Sequence, residues 1–125
     1  MGTIIILDTS AVIEILKSTE KASKMTEEFF NEDIGISTFT IYELLWARMH
    51  DLDIVERIAK RFKVFDFGKE QSIASAKIRS ELSRKGSPIN EVDIFIASTT
   101  MAEKAVLVTC DKDFEKITGL NVRIF

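Results

Sequence analysis

The sequence predicts an α/β domain with three layers, α/β/α, around a parallel sheet of about five strands. Three observations predict it. Short β-branched apolar runs alternate with longer amphipathic segments, the pattern of a parallel sheet covered on both faces. The first run, Ile4-Ile5-Ile6-Leu7, is apolar without alternation, as a strand buried on both sides requires. No repeat, low-complexity tract or linker interrupts the chain, so residues 1–125 read as a single domain.

Residues 3–7 form the first strand, and Asp8-Thr9-Ser10 supplies three capping residues before a helix opening at 11–16. Residues 20–31 are polar with Met25, Phe29 and Phe30 at helical spacing, a surface helix. Residues 34–37 read as a second strand. Residues 40–50 carry Ile41, Leu44, Leu45 and Met49 on one stripe and are helical, with His50 at the end. A short helix over 54–62 leads to a third strand over 63–67, which alternates and is bounded by Gly68. Residues 72–85 form a helix that Gly86 ends, and Pro88 punctuates the loop beyond it. A long apolar helix over 90–104 precedes a fourth strand over 105–108, and residues 121–124 supply a fifth.

Composition bounds the function. The chain is 46% hydrophobic and 30% charged, ordinary for one compact domain. One cysteine, Cys110, excludes an intrachain disulfide and points to an intracellular, cytoplasmic setting. No apolar run approaches the roughly 20 residues that span a bilayer, and the start has no positive region of a signal peptide. The net charge of −3 argues against non-specific nucleic-acid binding. The charge is uneven, however. Residues 57–85 hold Arg57, Lys60, Arg61, Lys63, Lys69, Lys77, Arg79, Arg84 and Lys85 against Asp66, Glu70 and Glu81, a local +6. Such a band is either a solvated helix face or a polyanion footprint, with Arg79, Arg84 and Lys85 the candidate phosphate contacts.

Ligands of open α/β sheets bind at the carboxyl ends of strands, where strand order reverses. Four carboxylates fall where that rule points. Asp8 follows the first strand and Asp111 the fourth. Glu43 lies in the first turns of the helix after the second strand, and Asp93 in the first turn of the helix before the fourth. Asp93 reaches the same edge only if its helix start leans over it. Each acid also has an ordinary reading. Asp8 can cap its helix, Glu43 can be an exposed acid, and Asp93 can be an N3 acid behind an Asn90 cap. Asp111 or Asp113 can cap a short helix over 113–117. Clustered carboxylates repel unless a cation is present. Oxygen ligands without His or Cys select Mg²⁺ or Mn²⁺ over zinc. Such a cation suits hydrolysis of a phosphate ester.

Four segments carry a family resemblance. Ile4-Ile5-Ile6-Leu7-Asp8-Thr9-Ser10, Ser37-Thr38-Phe39-Thr40-Ile41-Tyr42-Glu43-Leu44, Asp93-Ile94-Phe95-Ile96-Ala97-Ser98 and Leu107-Val108-Thr109-Cys110-Asp111-Lys112-Asp113-Phe114 together resemble the PIN domain, in particular the VapC-type toxins of prokaryotic toxin–antitoxin pairs. The resemblance covers essentially the whole chain. It implies a PIN-like fold and a Mg²⁺- or Mn²⁺-dependent endoribonuclease acting on an RNA substrate. It implies acidic ligands at Asp8, Glu43, Asp93 and Asp111, with Ser10 and Thr109 supporting them by hydrogen bonds and Asp113 at most bridging through water. It further implies a homodimer restrained by a small VapB-type antitoxin whose C-terminal segment fills the active-site groove. Many members carry Asn at the position of Asp111, so this chain's edge is more acidic.

Other residues are less informative. Cys110 is a small filler without a His partner, and no P-loop or G-x-G-x-x-G occurs. Trp46, Phe29, Phe30, Phe62, Phe65 and Phe67 read as core or partner-facing residues. An aspartyl phosphotransferase would want a second acid where Ser10 stands. A receiver domain would want an early acidic pair that is absent. A non-catalytic partner- or RNA-binding module and a stand-alone RNA-processing nuclease remain as alternatives.

Overall fold

The structure, a computed structural model, describes residues 2–47 and 51–125. The expected Met49 position and the His50 helix end lie outside the described residues. In chain order the elements are β1 (Ile4–Leu7), α1 (Thr9–Lys17), α2 (Glu20–Phe29), β2 (Asp33–Ser37), α3 (Thr38–Ala47) and α4 (Leu52–Arg61). There follow β3 (Lys63–Phe65), α5 (Lys69–Lys85), α6 (Glu91–Ala102), β4 (Val106–Thr109), a short 3-10 helix (Lys112–Lys116) and β5 (Val122–Ile124). The sheet has the order β3-β2-β1-β4-β5, and every neighbouring pair is parallel. The expected fold class holds.

β1 is central, and its alternation explains the three layers. Ile5 and Leu7 face a core shared with Val12, Met25, Leu44 and Phe62. Ile6 faces the opposite core with Ile78, Ile94, Leu107 and Phe114. Side chains alternate across a strand, so a run with no polar residue must meet apolar layers on both sides. Burying each of these side chains stabilises the fold by roughly 1.5–3 kcal/mol.

Where boundaries depart from expectation, the cause is local. β3 stops at Phe65 because its partner β2 ends at Ser37, the residue paired with Phe65. Phe67 instead joins an aromatic cluster with Phe39 and Phe95, ring centroids 5.0 and 5.1 Å away. α3 begins two residues early because Ser37 Oγ accepts from the Phe39 N–H at 3.1 Å. α5 begins at Lys69 because Gln71 Oε1 accepts from the Gly68 N–H at 2.9 Å. α6 ends at Ala102, and Lys104 turns the chain toward β4 with φ 52°. Gly86 ends α5 in the left-handed region, φ 68°, as its sequence position predicts. Gly35 serves a different need. A Cβ there would stand 2.8 Å from the Lys63 carbonyl oxygen and overlap the Phe65 ring, so only glycine lets β2 and β3 pack.

The order reverses at β1, where β2 and β4 lie on opposite sides. The crevice expected of such sheets opens at the carboxyl ends of these strands. Asp8 and Asp111 leave the sheet there.

Candidate active site

Asp8 is the first residue past β1 and is only 3% exposed. Its N–H donates to the Val108 carbonyl at 3.1 Å, which pins the β1 exit to β4. Its carboxylate accepts three hydrogen bonds: at Oδ1 from the Ala11 N–H (2.9 Å) and Ser10 Oγ (2.7 Å), at Oδ2 from Thr109 Oγ1 (2.6 Å). Asp8 therefore caps α1, as its position allows, and the cap uses only Oδ1. Each carboxylate oxygen has two acceptor positions, so Oδ2 keeps one. Burial raises the Asp8 pKa above the ordinary value, and the three hydrogen bonds oppose that rise.

Ser10 and Thr109 stitch the loop after β4 to this carboxylate. Ser10 Oγ accepts from the Cys110 N–H (3.0 Å), and Thr109 Oγ1 accepts from the Asp111 N–H (3.0 Å). Thr109 is fully buried. Asp111 is half-buried and caps the 3-10 helix, with Oδ1 accepting from the Asp113 N–H at 2.9 Å. Asp113 is exposed, and its carboxylate pairs with Lys116 at 3.1 Å. The cap thus falls to Asp111 rather than Asp113.

Glu43 sits on α3, half-buried, and its Oε1 accepts a 2.5 Å hydrogen bond from Thr9 Oγ1. Asp93 sits in the first turn of α6. Asn90 caps that helix by accepting from the Val92 N–H, so Asp93 has no capping duty. Burial and the charges of Asp111, Glu43, Asp8 and Asp113, in that order of strength, raise the Asp93 carboxyl to a pKa of about 7. The start of α6 therefore lies within electrostatic reach of the β1/β4 edge.

The edge is thus an all-oxygen site with more negative charge than it can hold comfortably. Oxygen donors without His or Cys suit a hard divalent cation: Asp8 accepts at both oxygens but keeps one position on Oδ2, Glu43 and Asp111 accept at one oxygen each, and Asp93 is disfavoured as an anion. Among the described residues, no group of three or more His, Cys, Asp or Glu side chains stands close enough together to hold a metal ion.

Comparison with known proteins decides the family. The PIN domain profile matches residues 5–120. The chain belongs to the PIN domain family. It is 29% identical over 123 residues to the "tRNA(fMet)-specific endonuclease VapC" of Salmonella typhimurium, covering 93% of both chains. It is 30% identical over 97 residues to the "Ribonuclease VapC2" of Rickettsia felis, covering 72% of both. The crystal structure of VapBC2 from Rickettsia felis, bound to a DNA fragment from their promoter, contains a chain that superposes with TM-score 0.86 at 26% identity, covering 98% of both chains.

The remaining candidates of this PIN domain fall into place individually. Arg79 pairs with Glu91, two residues before Asp93. Lys85 pairs with Glu81 at 2.9 Å and donates to Thr118 Oγ1 at 2.8 Å, while Arg84 is exposed. Two of the three candidate phosphate contacts are thus already engaged by acids. Cys110 is partly buried, and burial raises its thiol pKa, which suits a filler rather than a nucleophile. Phe62 and Phe65 are core residues, whereas Phe30 and Trp46 are each 71% exposed. Thr9 and Thr40, which no motif spacing marks, also stand beside Glu43. The available signal was the run Asp8-Thr9-Ser10: one helix needs one cap, so the other two hydroxyl side chains are available for other work.

Proposed function

We propose that this PIN domain is a Mg²⁺- or Mn²⁺-dependent endoribonuclease that hydrolyses RNA phosphodiester bonds, the toxin of a VapBC-type pair. The observation that supports the reading is the placement of Asp8 and Asp111 at the carboxyl ends of β1 and β4, tied together through Thr109, with Glu43 bonded to Thr9 beside Asp8. Asp8, Glu43, Asp93 and Asp111 would hold the cation, which when bound polarises a phosphoryl oxygen and lowers the pKa of a coordinated water. Three hydrogen bonds fix Asp8. Asp111 is fixed through its own N–H, held by Thr109. A rigid pair of carboxylates from β1 and β4 orients whatever they bind, and Asp93 and Glu43 approach from the helices. Relatives named as a tRNA-specific endonuclease and a ribonuclease support RNA as the substrate.

The VapBC relative supports a VapB-type partner. A groove of about 300 Å³ lined by Ile15, Met25, Phe29, Phe30 and Phe62, with Glu32 and Arg61 also in its wall, offers a seat for it. A basic side chain from that partner would find the unneutralised carboxylates attractive and would compete with the cation. Tyr42 and Trp46, 59% and 71% exposed and four residues apart on α3, support a homodimer that covers them. No helix among the described residues is long and apolar enough to cross a membrane. We place the action of the protein on cellular RNA in the cytoplasm.

The test compares purified wild-type protein with Asp8→Asn on a pool of structured and single-stranded RNAs, with Mg²⁺ and with EDTA. Cleavage by wild type with Mg²⁺ alone is the expected result. Equal cleavage by both proteins, or cleavage in EDTA, refutes the mechanism. No cleavage of any RNA by wild type favours the non-catalytic module.

A further inference from the structure

The three polar residues after β1 divide their work in an unexpected way. Asp8 caps α1. Ser10 donates to Asp8 and accepts from the Cys110 N–H. Thr9 takes part in neither. Its hydroxyl turns toward α3, donating to Glu43 Oε1 at 2.5 Å and lying 3.3 Å from Thr40 Oγ1. A hydroxyl has one proton and two acceptor positions. The shorter bond, to a carboxylate, claims the Thr9 proton, because a charge-assisted O–H···O bond at this length is the stronger of the two. Thr40 Oγ1 stands at the acceptor end of the longer contact, so the Thr9 hydroxyl sits between Thr40 and Glu43 with its proton committed to the glutamate.

We infer that Thr9 is a positioning residue for Glu43, its hydroxyl packed beside the buried Thr40 and aiming the glutamate carboxylate at the edge where Asp8 ends β1. Three features converge on this. Thr40 is fully buried and sits three residues before Glu43, on the same face of α3. Thr9 is covalently adjacent to Asp8, so the bond ties the carboxylate of one element to the position of another. Glutamate has several side-chain torsions, and a half-exposed one on a helix is mobile unless something holds it. Without Thr9, the Glu43 carboxylate would lose its hydrogen bond, whereas Asp8 and Asp111 have bonds of their own. The geometry stands independently of the reaction. The consequence for metal and RNA rests on the nuclease reading above.

The experiment uses Thr9→Val, which keeps the shape and removes the hydroxyl, Thr9→Ser, which restores it, and Thr9→Ala as a second hydroxyl-free variant should valine disturb the fold. Circular dichroism checks that each folds. In metal-free protein with ¹³C-labelled glutamate, side-chain relaxation reads the order of Glu43. The hydroxyl-free variants should lose that order, and Thr9→Ser should keep it. Mn²⁺ titration followed by electron paramagnetic resonance should show affinity falling on the order of 10-fold in the hydroxyl-free variants, the scale of one lost bond to a charged group. RNA cleavage should lose kcat with KM unchanged. In a Glu43→Ala background, removing the Thr9 hydroxyl should have no further effect on Mn²⁺ affinity. An unchanged Glu43 order overturns the proposal, as does an equal Mn²⁺ loss in the Glu43→Ala background. If wild type neither binds Mn²⁺ nor cleaves RNA, the nuclease reading fails, and the metal-free measurement still decides the role of Thr9.

Discussion

Replacing Asp93 by Asn should stabilise the metal-free protein, and only above acidic pH. The Asp93 carboxyl titrates at about 7 in the folded chain against an ordinary 3.8. Between those values the folded state binds more protons than the unfolded state, so stability falls as pH rises through that window and levels off above about 7. The full difference corresponds to at most ~4 kcal/mol. Asp93 is only half-buried, and solvent screening reduces the effect to roughly 1–2 kcal/mol. For a chain of this size that is a Tm increase of roughly 3–10 °C for Asp93→Asn at about pH 8. Near pH 4 most of the difference should be gone, because the folded-state carboxyl is then neutral and the unfolded-state one is only about half ionised. The assay is thermal unfolding in EDTA across pH 4–8 for both proteins. Adding Mg²⁺ at pH 8 should stabilise wild type more than the variant, since a ligand that binds only the folded state raises its stability. A pH-independent difference in Tm, or a variant less stable than wild type at pH 8, would refute the electrostatic reasoning.

Asp8→Asn should abolish cleavage while leaving a folded protein, because asparagine retains the Oδ1 acceptor that caps α1; circular dichroism and an RNA cleavage assay read the two effects separately. Gly35→Ala should destabilise the fold by roughly 1–3 kcal/mol through overpacking against Phe65 and the Lys63 carbonyl, measured by urea unfolding. Replacing Arg79, Arg84 and Lys85 together by Ala should weaken RNA binding and flatten its salt dependence; an unchanged slope removes these residues from the interface. Purification from the native source should bring down a small basic-tailed partner, and size-exclusion chromatography with light scattering should give the mass of a dimer for the isolated chain.

The fold was legible because its strongest signals are patterns of hydrophobicity. An uninterrupted run such as Ile4-Ile5-Ile6-Leu7 has one solution, a strand covered on both faces, and the helices follow from spacing. What the pattern does not encode is where pairing stops. Residues 66 and 67 alternate as well as residues 63–65 do, and only the end of β2 at Ser37 terminates the strand. The acids were legible as residue types at strand ends and helix starts. Their division of labour was not. Asp8, Thr9 and Ser10 are interchangeable as caps in sequence, and only packing against α3 and β4 decides that Asp8 caps while Thr9 bonds Glu43. Asp93 could be placed only conditionally, since nothing local sets the tilt of α6.

The bond from Thr109 to Asp8 joins residues 101 apart in the chain. β1 is made first, yet its neighbour β4 and the Asp111 loop come from the other end of the sequence. During synthesis on the ribosome, the growing chain can pair β1 with β2, and β2 with β3, long before β4 exists. Contacts this distant are also the slowest to form. The carboxylate edge is therefore open and incomplete for most of translation. The site is thus assembled only when β4 and the Asp111 loop dock beside β1, so its completion reports that both halves of the sheet have come together.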